Sequence, residues 1–225
     1  MIYITGDTHG EQARFYNSDL IPNTKLSEGD YLIVLGDFGY IFRNDEREKL
    51  FLDSLELLPY TILFIDGNHE NFPAIYSYPV VEWHEGKVHK IRENVLHLMR
   101  GEIFEIEGKT FFTMGGAYSI DRYMRAEGIS WWAEELPSDA EYKNAARNLE
   151  AHNFKVDYIL THTLPREMIL RYGKYPDFHD GELTGFLEWV MYETEFKHWY
   201  CGHWHDDVDL DEKFTVLWFD VREME

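Results

Sequence analysis

Asp7 and His9 stand two apart in "MIYITGDTHG", at the end of an apolar, β-branched run. Asp37 closes "YLIVLGD", Asn68 and His69 follow "TILFIDG", His162 closes "VDYILTH", and His203 and His205 fall in "HWYCGHWH". Each of these side chains can ligate a metal ion, and each group comes directly after a stretch that reads as a strand. Taken singly they are ordinary. Gly and Asp are turn residues, and a histidine after a strand is usually a satisfied polar residue. Turn chemistry does not account for histidine at four such ends. Residues two apart in extended chain share a face, so Asp7 with His9, and His203 with His205, reach a common neighbour.

Imidazole nitrogen, carboxylate oxygen and amide oxygen together suit borderline divalent ions such as Mn, Fe, Zn, Co or Ni, and suit calcium poorly. A sulfur-rich zinc site is excluded, because Cys201 is the one cysteine. The same count excludes an internal disulfide, and the apolar neighbours of Cys201 mark it as a small buried hydrophobe. The donors suffice for two ions sharing one carboxylate. Two metals about 3.5–4 Å apart are an established arrangement for phosphoester cleavage.

The elements that must carry these residues follow from hydrophobic periodicity. The runs at 31–37 and 61–70 are continuously apolar before their polar ends, which suits strands buried on both faces. Between them, 44–58 places Leu50, Phe51, Ser54, Leu55 and Leu58 at helical spacing, so the stretch reads as a βαβ unit. Residues 94–117 alternate and turn at Glu107-Gly108-Lys109, as antiparallel strands do. Ser138, three before Glu141, opens a helix with a capping box. Leu183, Phe186, Leu187, Val190 and Met191 form one apolar face of a later helix. "KFTVLWFDV" (213–221) reads as the last strand. Strands of both kinds with intervening helices imply an α/β sandwich, with two sheets face to face and helices outside.

Bulk composition narrows the class. At 225 residues and 44% hydrophobic, the chain can fill a core and is not disordered. No apolar run approaches the roughly 18 residues needed to span a membrane. The first residues lack the basic region of a signal peptide, so the reading is cytoplasmic. A net charge of -21, with no visible Lys/Arg cluster, opposes binding of long nucleic acid. It leaves room for a small phosphate ester, since metal cations would supply positive field locally.

The ordered series Gly6-Asp7-Thr8-His9, Gly36-Asp37, Gly67-Asn68-His69-Glu70, His162 and Gly202-His203-Trp204-His205 resembles the calcineurin-like metallophosphoesterase superfamily, in the manner of bacterial and phage members. The resemblance implies a four-layer α/β/β/α sandwich with two mixed sheets, forming a single domain over 1–225. It implies two divalent transition-metal ions, manganese among the candidates. Asp7, His9 and His205 would hold one ion, Asn68, His162 and His203 the other, with Asp37 bridging both. His69 would stand off the metals, beside the leaving-group oxygen, as the proton donor. The implied activity is hydrolysis of a phosphate mono- or diester, small or nucleotide-like, by a hydroxide held between the ions.

One departure narrows the substrate. The protein Ser/Thr phosphatases of the superfamily follow the second motif with an Asp and an Arg, and here those positions hold Tyr40 and Ile41 in "GDFGYIF". This disfavours a protein phosphatase and tilts the balance toward diesters. Asp66 and Glu70 are the carboxylates near enough in sequence to orient His69. Arg122 and Arg125, in "GGAYSIDRYMRAEGISWW" (115–132), are candidates to grip phosphate instead. The same segment also reads as a surface loop whose tryptophans plug the core. A non-enzymatic scaffold of the same fold is the other class, and the filled ligand positions argue against it.

Overall fold

The computed structural model describes residues 1–17, 21 and 25–224. Along the chain, β1 (Ile2–Thr5) and the short α1 (Ala13–Tyr16) precede β2 (Tyr31–Leu35), α2 (Glu46–Leu55), β3 (Thr61–Ile65) and α3 (Phe72–Tyr76). The middle is strand-rich, with β4 (Val80–Trp83), β5 (Gly86–Lys90), β6 (Val95–Leu98), β7 (Ile103–Ile106) and β8 (Lys109–Met114). Then come α4 (Asp139–Ala151), β9 (Tyr158–Thr161), α5 (Arg166–Arg171) and α6 (Gly181–Glu193). The last strands are β10 (His198–Cys201), β11 (Val208–Asp209), β12 (Phe214–Val216) and β13 (Val221–Met224).

The described strands form two mixed sheets, ordered β13-β1-β2-β3-β6-β5-β4 and β11-β12-β10-β9-β8-β7. The centre of each is parallel: β1, β2, β3 and β6 in one, and β12, β10, β9 and β8 in the other. Antiparallel strands close the edges. Side chains alternate across a strand, and the core divides accordingly. Ile33 and Leu35 of β2 join Phe111 and Leu160 of the second sheet in one buried cluster. Leu32 and Val34 turn the other way, onto Phe51, Leu55 and Ile75 of α2 and α3. Ile159 and Trp199 pack likewise against Leu149, Leu187 and Val190 of α4 and α6. Helix, sheet, sheet and helix are thus four layers. The central strands read as unbroken apolar runs because both their faces are covered.

The capping box at Ser138 and Glu141 starts α4, and β7 turns into β8 through Glu107 and Gly108, both with positive φ (53° and 70°). Two expectations need correction, and one pair of strands was not anticipated. The helix after β2 ends at Leu55, and its buried residues are Phe51, Leu52 and Leu55, whereas Leu50 is 68% exposed. The hairpin of β4 and β5 lies at a sheet edge with a half-exposed pattern that hides it from a hydrophobicity reading. The final run is two strands. The Asp207 carboxylate accepts from the backbone amides of Trp218, Phe219 and Asp220 (2.7, 3.1 and 3.0 Å), turning the chain out of the second sheet and into the first. Among the described residues, no helix is long and apolar enough to cross a membrane.

Candidate metal centre

β1, β2 and β3 run parallel in one sheet, and β9 and β10 run parallel in the other. The residues after their C-terminal ends therefore collect at one edge of the sandwich, where α/β proteins place their sites. The turns there are tight. His9, Asp37, His203 and His205 all have positive φ (48°, 46°, 67° and 48°), a conformation uncommon outside glycine. Such strain is held only where the surroundings over-determine it. The motif glycines serve the neighbouring ligands. A Cβ on Gly67 would lie 2.1 Å from Asp37 Oδ1, and one on Gly202 would lie 2.2 Å from Asp7 Oδ1.

Asp7, His9, Asp37 and His205 each present one ligand atom, all within 4.8 Å of one another. His9 Nε2 and His205 Nε2 are 2.9 Å apart, and His205 Nε2 is 3.1 Å from Asp7 Oδ2. Deeper in, His162 Nε2 is 3.1 Å from Asn68 Oδ1 and 3.5 Å from Asp37 Oδ1, and His203 Nδ1 is 3.1 Å from Asn68 Oδ1. His162 Nδ1 lies 2.8 Å from the Leu35 carbonyl, so it donates there and Nε2 is the nitrogen that faces Asn68 and Asp37. Asp37 also accepts from the His69 amide (2.7 Å), and Asp7 from the His203 amide (3.0 Å).

These residues fit divalent metal ions. Asp7 Oδ2 is buried yet takes no hydrogen bond, which is costly for a carboxylate without a cation. Imidazole, carboxylate and amide oxygen converge without intervening donors, as ligands do around a cation. The electrostatics agree. Burial works against charge on Asp37, but His162, His69 and His9 hold its carboxyl well below the usual range. Burial likewise opposes charge on His162, and Asp37 and Asp7 carry it up to about 10. His203 is pushed down to about 3, by burial first and then by His162. His205 is raised through its contact with Asp7.

His69 stands at the rim, its ring edge-on to His9 with centroids 5.4 Å apart. Neither carboxylate near it in sequence reaches it. The Asp66 carboxylate is engaged by His97 Nε2 (3.1 Å) and Arg100 Nε (2.8 Å), and the Glu70 carboxylate accepts from the amides of Phe38 (2.6 Å) and Gly39 (3.4 Å). Its partner is Arg125, whose Nη2 lies 2.7 Å from His69 Nδ1 and whose Nε donates to Asp121 (2.8 Å). Burial lowers the His69 pKa, and the nearby Arg125 adds to the effect. Arg122 is placed differently. It donates to the buried Glu135 (2.6 Å) and lies 4.2 Å from each of the Tyr118 and Trp131 rings. Of the paired tryptophans, Trp132 is buried against Phe42.

One contributor escaped the sequence reading. Asn68 Nδ2 donates to Ser119 Oγ (2.9 Å), which turns the amide oxygen toward His162 and His203. Ser119 is fixed in turn by its own amide on Glu135 (2.7 Å). Its only signal in the sequence is its place in the polar segment after β8. Cys201 is buried, and burial pushes its thiol up, so it is an inert packing residue.

Two grooves flank the centre. One, of about 490 Å³, runs from His9 and His69 past Gln12 and Phe42 to Arg43 and Arg47. The other, of about 450 Å³, runs from His69 and His203 to Tyr118, Tyr175, Trp204 and Asp180.

Residues 1–207 match the family model described as calcineurin-like phosphoesterase. No curated protein matches the sequence. Among solved structures, the chain is similar to one described as a candidate 5′-nucleotidase from Staphylococcus aureus in complex with alpha-ketoglutarate, at 14% identity and a TM-score of 0.52. The match covers 96% of this chain and 48% of that one, so this chain spans about half the length of that protein, and the likeness is one of fold.

Proposed function

Because the chain belongs to the calcineurin-like phosphoesterase family, whose members cleave phosphate esters, we propose that it is a metal-dependent hydrolase of small phosphate esters. Asp7, His9 and His205 would hold one divalent ion and Asn68, His162 and His203 a second, with Asp37 shared between them. The observation that carries this reading is the convergence of ligand atoms of Asp7, His9, Asp37 and His205 within 4.8 Å of one another, with the buried Asp7 Oδ2 taking no hydrogen bond. When bound, the ions would supply Lewis acidity, lowering the pKa of water and neutralising charge on the phosphoryl oxygens.

The chain's own residues do the rest. Arg125 Nη2 lies 2.7 Å from His69 Nδ1 and 3.2 Å from its Nε2, so it steadies the ring from one side. His69 holds a proton for the departing oxygen, a role worth about 10²–10⁴ in rate. Arg125, anchored on Asp121, has further donors for a phosphoryl oxygen. Arg122 keeps the 115–135 segment folded over the site, through Glu135. Grooves on both sides of the centre leave room for a substituent on either side of phosphorus, which favours a diester.

The test is a parallel assay of manganese-loaded protein on p-nitrophenyl phosphate and bis-p-nitrophenyl phosphate, with Asp37→Asn as background. Diester turnover that vanishes in the variant supports the reading in full, and monoester turnover alone moves it to a phosphomonoesterase. Two bound ions with no turnover of either ester would favour a scaffold of the same fold.

A further inference from the structure

The arginines of this chain are mostly engaged. With 42 acidic against 21 basic residues, seven of its eleven arginines pair with a carboxylate. Arg43 and Arg47 do not. Among the described residues, neither guanidinium has an ion pair or hydrogen bond, and both line the groove that opens on His9 and His69. The two carboxylates in that groove are tied to backbone at the start of α2. Asp45 accepts from the Glu48 amide (2.9 Å), and Glu48 accepts from the amides of Arg43 (2.9 Å) and Asn44 (2.7 Å). Neither carboxylate can swing to a guanidinium without uncapping the helix. The groove therefore presents two unengaged cationic forks beside the candidate metal centre. The opposite groove presents no arginine, and carries Asp121, Asp177 and Asp180 instead.

We propose that the Arg43–Arg47 groove binds a second phosphate borne by the substrate, so that the preferred substrates carry two phosphate groups. This inference rests on the hydrolase reading and deepens it. A phosphate carries about −1.5 to −2 charge at neutral pH, and a guanidinium fork matches its oxygens two at a time. His9, Gly10 and Gly39 line the same groove, so an anion there lies along the surface that leads to the candidate metal ligands. Polarity also decides direction. The second phosphate points toward α2, and the remaining, uncharged part of the substrate lies toward Tyr118, Tyr175 and Trp204.

The experiment compares kcat/KM for three substrates on the manganese-loaded full chain: p-nitrophenyl phosphate, adenosine 5′-monophosphate and adenosine 3′,5′-bisphosphate. Wild type should prefer the bisphosphate to the monophosphate by about tenfold or more, the size of a charge-assisted hydrogen bond. The double variant Arg43→Ala/Arg47→Ala should lose that preference through KM, while its turnover of p-nitrophenyl phosphate stays within about twofold. Arg43→Lys/Arg47→Lys should restore part of the preference, and Arg47→Glu should lower it below the double alanine variant. Both side chains are exposed, so these variants fold. No preference in wild type, a preference that survives in the double variant, or an equal loss on all three substrates would each overturn the inference and leave the hydrolase reading standing. Turnover of bis-p-nitrophenyl phosphate with none of these three monoesters would overturn the inference and leave the hydrolase reading standing, and absence of turnover on all four would sink both.

Discussion

The candidate centre has an open half and a closed half. His9 and His205 show 34% and 46% of their side chains to solvent, whereas His162 shows none. The open half is set by left-handed turns at the ends of β1 and β10, with the His205 ring stacked on Trp218 at 5.0 Å. The closed half is set by side chains from elsewhere: Ser119 orients Asn68, and the Leu35 carbonyl fixes His162. A ligand held by second partners is pre-organised, and one held by a turn has more freedom. On the proposed reading, the closed half would retain an ion and the open half would admit substrate.

Asp37 belongs to both halves, so its loss should be the most severe. Asp37→Asn removes the shared charge and should reduce turnover about 10³-fold or more, if the centre supplies several kcal/mol to the transition state. Full metal content by elemental analysis with near-normal turnover would contradict the shared role. His69→Ala should slow turnover about 10²–10⁴-fold, with metal content unchanged. Loss of metal in that variant would make His69 a ligand and redraw the line between the halves.

The comparison sharpens at one remove from the ligands. Ser119→Ala should weaken metal binding about 10–100-fold, the usual cost of losing an orienting partner, and only in the closed half. His205→Ala should empty the open half and spare the other. Metal titration separates the two: each variant should lose one of two binding phases, and a different one. Loss of the same phase in both would mean that the halves are a single site.

What could be read in advance divides along similar lines. The candidate ligand residues are legible because each follows an apolar strand, and strands that are parallel and covered on both faces are the ones that read as so apolar. Chain order and residue type then carried the resemblance. Ser119 was not legible, since its effect depends on contact across 51 residues of sequence. Asp66 and Glu70 looked equally able to orient His69, and only three-dimensional pairing with Arg100 and with the Phe38 amide removes both. Arg43 lies two residues beyond the position where the protein phosphatases carry their arginine, and only the groove shows that it faces the site. The β4–β5 edge hairpin was missed because an edge strand needs little burial.

The smallest effect concerns the aromatic groove, on the side of the closed half. Asp180 is buried, accepts from the Tyr118 amide (2.7 Å) and lines that groove. Burial pushes its carboxyl up to about 6, and the nearby Asp177 and Glu135 add to the rise. An unfolded aspartate titrates near 3.9. Between about pH 4 and 6 the folded chain keeps a proton that the unfolded chain has released, so stability falls as pH rises through that window. The cost is complete above about 6 and absent below about 4, and its size is at most ~2–3 kcal/mol. Asp180→Asn keeps an oxygen for the Tyr118 amide and abolishes the titration. Denaturant unfolding should show the variant more stable than wild type at pH 7.5 and equal to it at pH 4. Parallel stability curves across that range would mean that Asp180 ionises in the groove without cost, and that this side of the site is as wet as the other.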